Sequence, residues 1–222
     1  MLVAIGETLP LAFVVAFSPF PIIAIILLLL SPNARSASLA FLGGWMAALL
    51  AVVLGLTAIA ELLPGSDDTG STTIMGLITI LMGLGLLYLA WQKFEKRPGK
   101  DDPGKLPDWM TSFSSATPKT ALAYGALLGV NPKNLLVSVS AAILIVDSGL
   151  GVAGEIVAVI IFVVLCSVSI LGVVLAERIA PAAVAARIPG VQTWLTRNNA
   201  VIMAGILLLI GFNVIGKGLA RL

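Results

Sequence analysis

Few side chains in this sequence combine a chemically active type with a place inside an apolar segment. The chain has one cysteine, Cys166, and no histidine, which excludes a disulfide framework, a CxxC redox pair and a histidine-containing metal site. No pairing of a nucleophile with a base is visible, and no nucleic-acid-binding motif is present. We therefore expect a protein that is not an enzyme, carries no cofactor or metal and does not bind nucleic acid.

The clearest candidate is Lys133, which lies near the centre of a long apolar segment in the motif Asn131-Pro132-Lys133-Asn134. A charge at this place costs at least ~2.5 kcal/mol, so such a residue usually faces a cavity, an ion or a ligand. Glu7, in the first apolar segment, is a candidate counter-ion or proton-coupling group, and an ion pair with Lys133 is the structural alternative to ligand binding. The two asparagines can bond freed backbone groups or a polar headgroup.

The composition indicates a membrane protein that crosses the bilayer several times. The 222 residues are 59% hydrophobic and 11% charged, with a mean hydropathy of +1.10, whereas about a quarter of the residues in soluble proteins are charged. The first apolar segment has no basic start and no cleavage site, so we expect it to be retained. Apolar runs long enough to cross a bilayer predict six spans: about 2–30, 37–63, 72–92, 119–146, 151–176 and 200–217.

The basic residues predict the orientation of these spans. Lys and Arg cluster in 31–36, 93–118 and 177–199, which the positive-inside rule places in the cytoplasm. Both termini are then outside, and the protein lies in the cytoplasmic (inner) membrane. The segment around Trp109 is a candidate interfacial helix within the linker 93–118.

The first span contains two prolines in the sequence Ser18-Pro19-Phe20-Pro21. An interior proline removes a backbone hydrogen bond and clashes with the preceding turn, which costs about 3 kcal/mol. Spans one and four each have about 28 residues, or ~42 Å of helix, against a hydrocarbon core of ~30 Å. We expect both spans to be broken or kinked at their prolines, since protein or a water-filled cavity can satisfy the freed backbone groups there.

Spans one to three correspond to spans four to six when Pro19 is aligned with Pro132. Because each half has an odd number of spans, the halves must lie in opposite orientations, as in many secondary transporters. The sequence thus predicts an all-α integral membrane protein with six transmembrane helices. They form a 3+3 inverted repeat of residues 1–92 and 119–222, with a substrate site at the midplane between spans one and four.

Three ordered blocks of the sequence resemble a known family over essentially the whole chain. The pairing of a proline motif in span one with "NPKN" in span four resembles the lysine-exporter (LysE) superfamily of small transporters. The blocks themselves resemble its glycolipid-addressing (GAP) family, also called the sulfolipid-1-addressing protein family: "SPFPIIAIILLLLSPNARSASLAFLGGW", "LPDWMTSFSSATPKTALAYGALLGVNPKNLLVSVSAA" and "WLTRNNAVIMAGILLLIGFNVIGKGL".

The resemblance implies a membrane protein that helps to move a cell-envelope lipid or glycolipid toward the surface. Its implied partners are that lipid and envelope-biosynthesis proteins, and a homo-oligomer is a further candidate. Phe20 stands where related exporters tend to have glycine, which argues against amino-acid export. The family pattern falls on Ser18, Pro19, Pro21, Asn131, Pro132, Lys133 and Asn134.

Three functions stay open at this stage. The first is export of an envelope lipid or its anionic precursor, with Lys133 pairing with the anionic group. The second is export of a small amino acid or similar solute. The third is a scaffold that does not transport but recruits envelope-biosynthesis enzymes through the linker 93–118.

Overall fold

The computed structural model describes residues 1–62, 69–95, 97, 112, 113 and 115–220. All regular structure in these residues is helical. The α-helices follow in the order α1 (Leu2–Ala16), α2 (Pro19–Leu29), α3 (Ala34–Leu62), α4 (Thr69–Glu95), α5 (Pro118–Gly129), α6 (Pro132–Asp147), α7 (Gly151–Cys166), α8 (Val168–Ile179) and α9 (Pro181–Leu219).

The apolar helices make the chain a membrane protein. Within the described residues, α3 is the one helix that is long and apolar enough to cross a membrane by itself, over Ala34–Glu61. Up to five spans result when each bent helix pair counts as one: α1 with α2, α5 with α6, α7 with α8, and Pro181–Leu195 with Ala200–Gly216 in α9. The six-span inverted repeat stays a prediction.

Spans one and four are broken where the sequence predicts it. The axes of α1 and α2 differ by 51°, and those of α5 and α6 by 60°. Span five, predicted over 151–176, is also broken, by 60° between α7 and α8, a break that the sequence did not indicate. No proline marks this third break, which lies at Ser167.

The segment 177–199, predicted to be a cytoplasmic loop, is helical except at Ala180. Its many alanines favour helix, and Pro181 takes the first position of α9, where a proline needs no hydrogen-bond partner. The basic residues in this segment therefore lie on helices rather than in a loop. Most of the predicted linker 93–118, including its interfacial helix, lies outside the described residues.

The chain divides into two compact units, Met1–Leu62 with Lys105–Thr193 and Leu63–Gly104 with Trp194–Leu222. The predicted repeats, 1–92 and 119–222, divide the chain by sequence correspondence and not by spatial compactness, and they stay a prediction. In the first unit α3 packs along α5, and α7 packs along α1. In the second, α4 approaches α9 so closely that a Cβ added at Gly83 would lie 2.9 Å from the Gly211 carbonyl oxygen.

Glycine permits the close contact of α3 with α5 in the first unit. A Cβ added at Gly44 would lie 2.1 Å from the Leu122 carbonyl oxygen, and one at Gly125 would lie 2.1 Å from that of Phe41. Only a residue without a side chain lets two helix backbones approach in this way. This contact fixes α5, and with it the break before α6, against the longest helix of the unit.

Candidate functional site

The breaks in spans one and four have nearly the same backbone conformation. Phe17 has φ −93° and ψ 20°, and Val130 has φ −96° and ψ 19°. The next residue is extended in both cases, with φ −64° and ψ 122° at Ser18 and φ −66° and ψ 155° at Asn131. A proline then opens the new helix. Proline favours this outcome because it disfavours helical backbone in the residue before it and suits the first helical position.

The position of Pro21 follows from the same geometry. With Ser18 as the N-cap and Pro19 as the first residue of α2, Pro21 is the third helical residue. Backbone N–H groups in the first turn have no partner within their helix, so a proline there removes no hydrogen bond. Pro19 and Pro21 therefore begin a helix and do not interrupt one, whereas the third proline of span one, Pro10, lies inside α1.

The carbonyl groups at the end of α5 are satisfied by the asparagines of the same motif. The Asn134 side chain donates to the carbonyl oxygens of Leu128 and Gly129 at 3.1 and 3.2 Å, and the Asn131 side chain also donates to Leu128. The Asn131 Oδ1 atom in turn accepts from the Asn134 backbone N–H at 3.0 Å. The Asn-Pro-Lys-Asn motif thus caps both helix ends at its own break.

The carbonyl groups at the end of α1 are satisfied from other helices. The Lys133 ammonium donates to the Val14 carbonyl oxygen at 3.1 Å, and the Ser169 hydroxyl donates to the Ala16 carbonyl oxygen. The Ser18 backbone N–H reaches Val15 at 3.2 Å, while its side chain makes no capping bond. The first break therefore depends on side chains from α6 and α8.

The third break, at Ser167, brings α8 to the same place. The Ser167 hydroxyl donates to the Val163 carbonyl oxygen at 2.7 Å, a contact that often bends helices. Ser169, two residues further along, reaches the end of α1, and Cys166, the last residue of α7, lies near Lys133. All three breaks of the first unit thus lie around the Lys133 ammonium.

The charge of Lys133 has no carboxylate partner in the described part of the chain. The ion pair of Arg178 with Glu177, at 3.6 Å, does not involve Lys133, and Glu7 is exposed on α1. The Glu7–Lys133 ion pair, the structural alternative, is not formed. A half-buried ammonium that is held by one neutral carbonyl retains the capacity to pair with an anion, because lysine has three N–H donors.

The surface beside the breaks is apolar. Phe13 and Phe17 are 59% and 46% exposed, and their rings stack with centroids 4.8 Å apart. Val130 and Pro132 are also exposed at the second break. A ligand at Lys133 would therefore have hydrocarbon-like side chains on its outer side, an arrangement that suits a headgroup carrying acyl chains.

The structure brings together part of the predicted site. Lys133 lies between the breaks, and Asn131 and Asn134 act as caps. Pro19 and Pro132 begin helices. Phe20 is half-buried, and its ring takes no part in the hydrogen bonds at the breaks. Sequence analysis missed the Val14 and Ala16 carbonyl groups and the contributions of Cys166 and Ser169. Two serines close together, in "CSVS", are a signal too common to have identified the third break.

Comparison with known proteins identifies one family. The family described as "Sap, sulfolipid-1-addressing protein" matches residues 8–220 of this chain. No curated protein and no solved structure shows a significant match. Among the described residues, no three His, Cys, Asp or Glu side chains lie together in a way that holds a metal ion.

Proposed function

Because the chain belongs to the sulfolipid-1-addressing protein family, we propose that it is an export factor for an anionic cell-envelope lipid or glycolipid. It moves this lipid, or its anionic precursor, toward the cell surface from the cytoplasmic membrane. It acts without enzymatic chemistry or a cofactor. The substrate lipid is its principal partner, with envelope-biosynthesis proteins and a second copy of the chain as further ones.

The observation that carries this proposal is the unpaired charge of Lys133 at the meeting point of three helix breaks. Removing a cation from water without a counter-ion is costly, and one neutral carbonyl at 3.1 Å compensates it only in part. A phosphate, sulfate or carboxylate headgroup supplies the missing negative charge in a stronger, charge-assisted hydrogen bond. The Lys133 ammonium is then the group that selects the substrate by its charge.

The surroundings of Lys133 favour a lipid over a small solute. The stacked rings of Phe13 and Phe17 and the exposed Val130 border the breaks, so acyl chains can remain in the bilayer while the headgroup reaches the ammonium. The matching backbone conformations of the two proline breaks support the inverted repeat, in which alternating access occurs around a fixed central site.

The test compares surface-exposed and total envelope lipids in a deletion strain and in the same strain complemented with the wild type, with Lys133→Met or with Lys133→Arg. Lys119→Met is the matched control, since Lys119 is an exposed lysine in the first turn of α5. We expect Lys133→Met to reduce the surface fraction of one anionic lipid as much as deletion does. Lys133→Arg should retain part of it and Lys119→Met all of it.

Two other results would replace the proposal. Unchanged lipids together with altered export of amino acids in the Lys133→Met cells would indicate a solute exporter. If surface lipids are normal in cells with Lys133→Met but reduced in cells whose protein lacks residues 98–111, the protein is a scaffold that acts through its linker.

A further inference from the structure

Two side chains from different helices hold the carbonyl end of α1. Lys133, from α6, donates to Val14, and Ser169, from α8, donates to Ala16. Residues two apart in a helix point to nearly opposite sides, at about 200°. The end of α1 is therefore held from two sides, once by a charged group and once by a hydroxyl group.

These two contacts differ in what a ligand does to them. In the proposed function an anionic headgroup attracts the Lys133 ammonium and weakens its bond to the Val14 carbonyl group. The Ser169 hydroxyl is neutral, so the headgroup attracts it much less than it attracts the ammonium. When the Lys133 bond weakens, Ser169 still donates to the Ala16 carbonyl group at the end of α1.

We propose that Ser169 is a positioning residue of the anionic-lipid site, holding the carbonyl end of α1 in place while Lys133 pairs with the ligand. This inference rests on the proposed function. Without the hydroxyl group, Lys133 is the only side chain of the two that still donates to α1, and a headgroup that weakens this bond leaves the end of α1 without a strong donor. The affinity for the anionic lipid then falls, although Ser169 does not touch the lipid.

The test uses Ser169→Val and Ser169→Thr, two variants of the same shape of which only the threonine keeps a hydroxyl group. The full chain, in phosphatidylcholine nanodiscs, is titrated with fluorescent phosphatidylglycerol and, separately, with fluorescent phosphatidylcholine. We expect Ser169→Val to bind phosphatidylglycerol about tenfold more weakly than the wild type, which corresponds to about 1.4 kcal/mol. Ser169→Thr should bind it normally, and the binding of phosphatidylcholine should not change in either variant.

The possible results separate this inference from the proposed function. If Lys133→Met loses the preference for phosphatidylglycerol but Ser169→Val retains it, Ser169 has no positioning role and the proposed function stands. A lower thermal midpoint for Ser169→Val with an unchanged ratio of the two lipid affinities would show a purely structural role and overturn the inference. If the valine variant aggregates, Ser169→Ala gives the same comparison with less bulk.

Two further results bear on the ligand itself. A wild type that binds both lipids equally would refute the proposed function and this inference together. Displacement of phosphatidylglycerol by inorganic phosphate at equal concentration would identify a free anion as the ligand, and the lipid site would be refuted.

Discussion

Replacing Gly44 by alanine tests the packing that fixes α5 and its break. A Cβ at this position would lie 2.1 Å from the Leu122 carbonyl oxygen, 2.9 Å from its carbon and 3.2 Å from the Ala126 nitrogen. Ordinary contacts lie near ~3.5 Å, so the two helices must separate by roughly 1.4 Å. All three contacts are with backbone, which cannot move aside as a side chain does.

The neighbouring Gly43 provides a matched control. It lies in the same helix, and a Cβ at Gly43 would have no atom within 4 Å. Each Gly→Ala change gains about 1 kcal/mol of helix propensity, so the difference between Gly44→Ala and Gly43→Ala isolates the clash. Overpacking costs about 1–3 kcal/mol, and rigid backbone contacts place this case near 3 kcal/mol.

Thermal unfolding in a mild detergent, followed by tryptophan fluorescence, measures this difference. For a chain of this length, 3 kcal/mol corresponds to a difference in Tm of roughly 6–12 °C. We expect Gly43→Ala to melt at or above the wild-type temperature and Gly44→Ala to melt well below it. A Gly44→Ala protein that melts as high as Gly43→Ala would refute the close contact of α3 with α5.

Two further predictions concern the caps and the charges. Asn134→Ala removes the donor to two carbonyl groups at the end of α5, so we expect the free energy of unfolding to fall by about 1–3 kcal/mol. Ser140→Ala, the control, should change it little. Equal thermal midpoints for the two variants would contradict the cap. Glu7→Gln should bind phosphatidylglycerol as the wild type does, because Glu7 is exposed and forms no ion pair with Lys133; a loss as large as that of Lys133→Met would identify Glu7 as the counter-ion.

Sequence analysis located the breaks at Pro19 and Pro132 because proline acts through its own covalent structure. It has no backbone N–H, and it restricts the residue before it, so it favours a helix start without help from tertiary contacts, although Pro10 and Pro189 lie inside helices. The break at Ser167 was missed for the opposite reason. A serine bends a helix only where its hydroxyl group bonds to the backbone, and many serines in membrane helices do not.

The interpretation of Glu7 shows where residue types mislead. A carboxylate and a lysine in apolar segments suggest an ion pair, yet Glu7 lies exposed while Lys133 contacts a backbone carbonyl group. Backbone acceptors carry no signature in the sequence, since every residue has one. Pairing rules between side chains therefore could not identify the actual partner of Lys133.

Composition and short motifs are enough to identify an apolar, helical membrane protein and to locate the ends of two of its helices. These properties follow from local chemistry: the number of consecutive apolar residues, the missing N–H of proline and the capping capacity of asparagine. The donors that satisfy the end of α1, in contrast, are visible only in the folded chain. Lys133 is 119 residues from Val14, and Ser169 is 153 residues from Ala16, and such contacts depend on how the helices pack rather than on any local pattern.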